Sequence, residues 1–202
     1  MEAGRVPGVV VLGMVKIVGL PSDGTSFGYL VPLASGMASK GVSIMMQKIS
    51  PCFWCDGNAE ELARFYVSIF KNSKLGEIMR WPPGYDHEDK VLTVTFELEG
   101  RTYLALNGGP EYKFTPALSL SVDCESQEEV DTLWEKLLAG GGAPVQCGWL
   151  TDKFGVSWQI VPRELPEMLA DADRKRAGRV MAAMMKMVKL DVATLRAAYQ
   201  QR

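Results

Sequence analysis

The sequence contains a single histidine, His87, among its 202 residues. A multi-histidine zinc or iron centre needs several imidazole ligands, so this class of site is excluded. An excess of one charge is also lacking, because 22 Lys and Arg residues stand against 24 Asp and Glu residues. The basic residues are scattered along the chain, so we predict that nucleic acid is not a partner.

Long apolar runs are missing as well, and the absence of eighteen consecutive apolar residues predicts no membrane-spanning helix and no membrane partner. There are only four cysteines, and a chain with 47% hydrophobic residues needs no disulfides to hold its core. We therefore expect reduced thiols in a cytoplasmic protein. Cys52 and Cys55 match the C-x-x-C redox pattern. Residues three apart on a strand point to opposite faces, which favours a core strand over the redox alternative.

Residues 1–45 are rich in Gly, Ser, Val and Pro and show neither a helical nor a strand period. We predict an N-terminal extension with little regular structure. A secretory signal built on Arg5 and the apolar stretch 9–20 is the alternative, although its parts are poorly arranged for that role.

A regular pattern begins at Met46. A strand over 48–55 precedes a helix that Asn58 caps, and the apolar face of this helix is predicted to carry Leu62, Phe65, Tyr66 and Ile69. Three strands follow, over 75–80, 91–98 and 103–106. The last two form a hairpin across the turn Glu99-Gly100.

The second half repeats this order. A strand over 117–122 precedes a helix with Ser126 as its cap and Glu129 at the capping-box position, and its apolar face carries Val130, Leu133, Trp134 and Leu137. A hairpin around Asp152-Lys153 and a strand over 156–161 complete the repeat. The pattern predicts an α+β fold with two βαβββ modules around a shared cleft, which is the natural ligand site.

Residues 163–202 are predicted to be a C-terminal helical extension. Asp173 caps one helix and a second spans 192–199. The first carries an apolar face of Val180, Met181, Met184, Met185 and Val188. Methionine at this spacing favours a core or subunit contact over an adaptable binding surface. The predicted domains are therefore 1–45, 46–162 and 163–202.

The middle domain resembles the PhnB-like branch of the vicinal oxygen chelate superfamily, which is historically labelled 3-demethylubiquinone-9 3-methyltransferase. The matching stretches are Phe53–Glu61, Phe65-Tyr66, Ile69-Phe70, Leu106–Pro110, Val122–Cys124, Cys147–Trp149, Asp152 and Gly155–Pro162. The resemblance implies paired βαβββ modules, a U-shaped cleft and a homodimer.

Catalytic relatives hold a divalent metal with His, Glu or Gln residues on the first and fourth strands of each module. The matching positions here carry Pro51, Leu104, Ser119 and Gln159. Only Gln159 is a residue type of that set, and leucine and proline supply no donor. We therefore expect no metal and no cofactor.

Five residues are candidates for binding a ligand in the cleft. Trp54, Trp149 and Trp158 offer large rigid apolar walls, and Asn107 and Gln159 are polar groups in otherwise apolar strands. Core packing for the indoles and turn formation for Asn107 are the alternatives. His87 lies in a polar loop, where a solvated histidine is favoured over a base or a weak metal contact.

The sequence thus favours a metal-independent protein that binds a small organic molecule in the inter-module cleft, with its catalytic residues unknown. One alternative is a metal-dependent lyase, isomerase or dioxygenase of the glyoxalase superfamily with an altered centre. A second is the methyltransferase of the family label, although no glycine-rich turn follows the first strand. A third is an interaction protein that uses its C-terminal helices.

Overall fold

The computed structural model describes residues 47–201 and, for the backbone alone, residues 10–12 and 15–17. Strands β1 (Val10–Leu12) and β2 (Val15–Ile17) pair antiparallel. The remainder of the predicted extension 1–45 lies outside the described residues. No helix within the described part of the chain is long and apolar enough to cross a membrane.

The described residues from 47 onwards divide into two compact units, one comprising residues 47–64 and 72–111 and the other residues 65–71 and 112–201. Each contains a four-stranded mixed sheet with the same strand order. The order strand, helix, strand, strand, strand occurs twice along the chain. The predicted α+β fold with two βαβββ modules and C-terminal helices is therefore confirmed.

The first module consists of β3 (Cys52–Cys55), α1 (Ala59–Ile69), β4 (Lys74–Arg80), β5 (Val91–Leu98) and β6 (Arg101–Asn107). Its strand order is β3-β6-β5-β4, with β3 and β6 parallel and the other pairs antiparallel. Glu99 and Gly100 both adopt positive φ between β5 and β6. This backbone is typical of a two-residue hairpin turn, so the predicted hairpin is confirmed.

One face of the first sheet is buried across its central strands. Phe53, Ala105 and Val94 lie in register across three strands and are at most 6% exposed. Cys52 is exposed whereas Cys55 is buried, as expected for strand residues three apart. The two cysteines therefore lie on opposite faces of β3.

The second module consists of β7 (Ser119–Cys124), α2 (Gln127–Leu138), β8 (Ala143–Pro144), β9 (Trp149–Thr151) and β10 (Ser157–Pro162). Its strand order is β7-β10-β9-β8, with β7 and β10 parallel. Helix α2 begins as the sequence predicts, because the Ser126 hydroxyl accepts the Glu129 N–H at 3.2 Å. The Glu129 carboxylate in turn accepts the Glu125 N–H at 2.7 Å.

Three helices follow β10: α3 (Glu164–Leu169), α4 (Arg174–Met184) and α5 (Val192–Gln200). They share a buried cluster of Leu165, Met168, Val180, Leu190 and Leu195. Asp173 caps α4 as predicted, since its carboxylate accepts the N–H groups of Lys175 and Arg176.

The predicted apolar face of α4 is only partly buried. Val180 is fully buried, but Met181 and Met185 are 43% and 56% exposed. Helix α4 ends at Met184, so Met185 and Val188 leave the helical period on which the prediction rested. The backbone N–H groups of Cys147 and Gly148 donate to the carbonyl groups of Met187 and Val188. These bonds hold the residues after α4 beside the residues that precede β9.

Candidate functional site

The second sheet has one face packed in the core and one face with polar side chains. Strand register places two rows of this face across β7, β10 and β9, and the face continues along β7 and β10 with Asp123 opposite Val161. The rows are Ser121, Gln159 and Trp149, then Ser119, Ser157 and Thr151. These six residues supply hydroxyl, amide and indole groups without a formal charge.

Gln159 and Trp149, both predicted from the sequence, are direct neighbours on this polar face. Both are half-buried. The Gln159 amide nitrogen donates to the Ser119 hydroxyl at 2.8 Å. This hydrogen bond fixes the side-chain amide, and its carbonyl oxygen is the group suited to accept a hydrogen bond from a ligand.

Trp158 lies on the opposite face of the same sheet, because it alternates with Gln159 along β10. It is 2% exposed, and its ring stacks on Phe70 and meets Tyr66 edge-on. Its indole N–H donates to Asp152 at 2.8 Å. The expected ligand contact for Trp158 stays a prediction, and its position suits packing behind Gln159.

Asp152 is a buried carboxylate that the sequence did not single out as a functional residue. It is 3% exposed and accepts four hydrogen bonds. Oδ2 accepts from the Tyr66 hydroxyl and the Trp158 indole, while Oδ1 accepts from the backbone N–H groups of Phe154 and Val156. The sequence does predict a turn here, because Asp at the first position and Gly at the fourth are typical of one. It contains no local pattern that predicts the burial of the Asp152 carboxylate.

The other two predicted residues, Trp54 and Asn107, lie in the first unit. The Trp54 indole donates to the Gly109 carbonyl at 2.8 Å. The Asn107 carbonyl oxygen accepts the Ala59 N–H, and its amide nitrogen donates to the Val91 carbonyl, both at 2.9 Å. Asn107 therefore joins the end of β6 to the starts of α1 and β5.

The positions that bind metal in catalytic relatives do not fit a divalent ion. Pro51 and Leu104 lack side-chain donors, and a backbone hydrogen bond joins the Leu104 N–H to the Pro51 carbonyl. Ser119 and Gln159 are bonded to each other. A divalent ion requires several anionic or imidazole donors, and these four residues supply neither type. Elsewhere among the described residues, no group of three or more His, Cys, Asp or Glu side chains could hold a metal ion.

Two buried thiols are poor nucleophiles. Burial raises the pKa of Cys55 to about 12, with the neighbouring Cys52 adding to the shift. Burial also raises the pKa of Cys124 to about 12, helped by the carboxylates of Glu129 and Asp123. At neutral pH these thiols hold almost no thiolate, which is the reactive form.

The model of the family described as 3-demethylubiquinone-9 3-methyltransferase matches residues 47–161. The chain is similar to the solved PhnB protein of Bacillus cereus, with 37% identity, 57% of this chain and 99% of that chain covered, and a TM-score of 0.53. No curated protein matches the chain at a significant level.

More distant solved structures carry glyoxalase descriptions. A glyoxylase/bleomycin resistance protein/dioxygenase domain from Frankia sp. EAN1pec is 17% identical over 59% of this chain and 93% of that chain, with a TM-score of 0.40. A glyoxalase-related enzyme from Fulvimarina pelagi is 18% identical over 59% of this chain and 91% of that chain, with a TM-score of 0.38. Neither similarity is close enough to transfer an activity.

Proposed function

This chain belongs to the 3-demethylubiquinone-9 3-methyltransferase family, the PhnB-like branch of the vicinal oxygen chelate superfamily, and we propose that it binds a small organic molecule without a metal ion. The observation that carries the proposal is the polar face of the second sheet. Trp149 and Gln159 stand there side by side among serine and threonine hydroxyls. The functional groups on this face indicate which class of ligand it can bind.

The ligand class follows from the groups available. The half-buried indole of Trp149 offers apolar area for an aromatic or aliphatic ring. Gln159, Thr151, Ser119 and Ser121 supply neutral donors and acceptors, which fix orientation in ligand sites that are otherwise apolar. A neutral molecule with one ring and one hydrogen-bonding group therefore suits this face, whereas a dianion would find no cation among these residues.

The same groups do not support metal-dependent chemistry at this face. Hydroxyl and amide oxygens are neutral, and Gln159 is already hydrogen-bonded to Ser119. A metal-dependent lyase, isomerase or dioxygenase would need anionic or imidazole donors in their place. We therefore assign the binding to hydrogen bonds and ring contacts.

A protein-observed NMR screen tests this proposal. Metal-stripped full-length protein is titrated with neutral aryl amides and aryl alcohols, and the backbone resonances of β9 and β10 are followed. We expect shifts at 149–151 and 157–161 for a subset of compounds. Trp149→Ala and Gln159→Leu should each weaken binding about tenfold, which corresponds to ~1.4 kcal/mol.

Two matched variants serve as controls for this screen. Trp81→Ala removes an indole from the first unit, and Gln200→Leu removes an exposed amide from α5. Neither should change the affinity. The proposal fails if no compound shifts these strands, or if the site variants bind as tightly as the controls.

Methyl transfer is the second alternative from the sequence, and the fold of the second module does not support it. The sheet order β7-β10-β9-β8 contains one parallel pair, unlike the doubly wound sheet usual for S-adenosylmethionine-dependent enzymes. Calorimetric titration with S-adenosylmethionine should give no heat of binding. Saturable binding would restore this alternative.

We also propose that the protein is cytoplasmic, because four free cysteines suit a reducing compartment.

We further propose that the protein is a homodimer. Met181, Met185, Val188 and Val145 are between 43% and 56% exposed, and packing against a second copy of the chain would remove this apolar surface from water. Light scattering of the full chain should give twice the monomer mass, and Met185→Lys should lower it. A monomer at all concentrations would contradict the dimer.

A further inference from the structure

A cavity of about 460 Å³ lies in the first unit, where the parallel strands β3 and β6 end. The turn after β3, the start of α1 and the loop over residues 81–90 form its walls. Its volume falls within the range of small-molecule sites, roughly 300–1,000 Å³. The polar face of the second sheet contributes nothing to it, so a ligand here would be additional to the proposed function.

The cavity walls are held by hydrogen bonds that need no ligand. Asn107 bonds the start of α1 and the start of β5 at once. The loop is closed by backbone bonds from Trp81 to Lys90 and from Lys90 to His87, at 2.9 Å each. The Trp81 ring lies 6.0 Å from the His87 ring. A wall built in this way is preorganised, which lowers the entropic cost of binding.

The cavity carries charges of both signs. Asp56 and Glu60 bring carboxylates, and Lys90 brings an ammonium group. Arg64 engages Glu60 through Oε1 at 2.7 Å. Among the residues that the structure describes, Asp56 and Lys90 form no ion pair and no side-chain hydrogen bond, with each other or with another residue.

We propose that this cavity binds a small zwitterion of the amino-acid class, with its ammonium group towards Asp56 and its carboxylate towards Lys90. A ligand with only a negative charge would be repelled by Asp56 and Glu60, and a ligand with only a positive charge would be repelled by Lys90. A zwitterion can place its ammonium group near the carboxylates and its carboxylate near Lys90. Trp81 and Val91 offer apolar surface for a side chain, and an indole face also attracts an ammonium group.

Three probes of similar shape test the charge requirement: phenylalanine, 3-phenylpropionate without the ammonium group, and phenethylamine without the carboxylate. Each is titrated into the full chain and followed by NMR at residues 56–60 and 81–91. Phenylalanine should bind, and each single-charge probe should bind at least about tenfold more weakly. No binding of phenylalanine, or equal binding of all three, overturns the proposal.

Two variants assign the charges to their walls. Asp56→Asn should weaken the binding of phenylalanine and phenethylamine but leave 3-phenylpropionate bound at least as tightly, because a repelling carboxylate is removed. Lys90→Gln should weaken the binding of phenylalanine and 3-phenylpropionate but leave phenethylamine bound at least as tightly. A purely structural effect would weaken all three probes alike, and that result would contradict the assignment.

The matched controls are Asp86→Asn, in the same loop but outside the cavity lining, and Lys113→Gln, an exposed lysine of the second unit. Both should bind phenylalanine like the unchanged chain. A loss of affinity in the controls equal to that in the cavity variants would show that net charge, rather than the cavity, governs binding.

Discussion

Replacing Asp152 with asparagine should destabilise the second unit strongly. The carboxylate is 3% exposed and accepts hydrogen bonds from two side chains and two backbone N–H groups. An asparagine amide presents one oxygen and one NH₂ group in the same space. If the amide oxygen keeps the backbone bonds to Phe154 and Val156, the NH₂ group faces the Trp158 indole N–H, which is then a buried donor without an acceptor.

The magnitude follows from these contacts. A buried unsatisfied donor costs about 1–3 kcal/mol, and each remaining bond loses about 1 kcal/mol when its acceptor becomes neutral. Removing the charge recovers part of the desolvation penalty of a buried carboxylate. We expect a net loss of about 3 kcal/mol in the free energy of unfolding, equivalent to roughly 6–12 °C in Tm for a chain of this size.

Urea unfolding followed by tryptophan fluorescence measures this loss. Asp86→Asn is the matched control, because Asp86 is exposed in a loop and its change should stay within about 0.5 kcal/mol. Tyr66→Phe should cost less than Asp152→Asn, since it removes one donor and leaves the acceptor. The double variant should be non-additive by at least about 0.5 kcal/mol. An Asp152→Asn chain as stable as the Asp86→Asn chain would show that the buried carboxylate does not stabilise the second unit.

Three further outcomes are expected. Gly108→Ala should lower Tm by several degrees, because a Cβ there would lie 2.3 Å from the Trp54 ring, and an unchanged melting curve would contradict that contact. Cys55 and Cys124 should resist alkylation in the native protein at pH 8 and react after unfolding. Rapid labelling of the native protein would contradict this. Since burial raises the pKa of both thiols to about 12, the free energy of unfolding should also fall as pH rises from about 9 towards 12. Ser126→Ala should lower the free energy of unfolding by about 1 kcal/mol, measured in urea and compared with Ser126→Asn, which keeps a capping oxygen.

Local patterns predicted most of the fold. All four apolar residues predicted for α2 are buried, and Ser126 caps this helix, because periodicity and capping depend on neighbours within one or two turns. For α1 the pattern is less complete. Asn58 precedes the helix as expected, but the first N–H, that of Ala59, is accepted by Asn107 on a distant strand. A partner so far along the chain leaves no local signal.

The sequence predicted less of the candidate site than of the fold. The prediction treated Trp149 and Trp158 as equivalent pocket walls, yet strand alternation and register put Trp149 beside Gln159 and Trp158 on the other face. Register depends on pairing between strands, which spacing within one strand does not reveal. Asp152 was missed as a buried acceptor because one of its donors, Tyr66, is remote in sequence.

Ligand binding at the polar face of the second sheet should need no metal ion. The most direct test is the dissociation constant of one compound from the neutral aryl series, measured by NMR shifts at Trp149 and Gln159 before and after exhaustive chelation. We predict the same constant in both states and no change when Mg²⁺, Mn²⁺ or Zn²⁺ is added back. Loss of binding on chelation, with recovery on addition of a divalent ion, would show instead that the site depends on a metal ion.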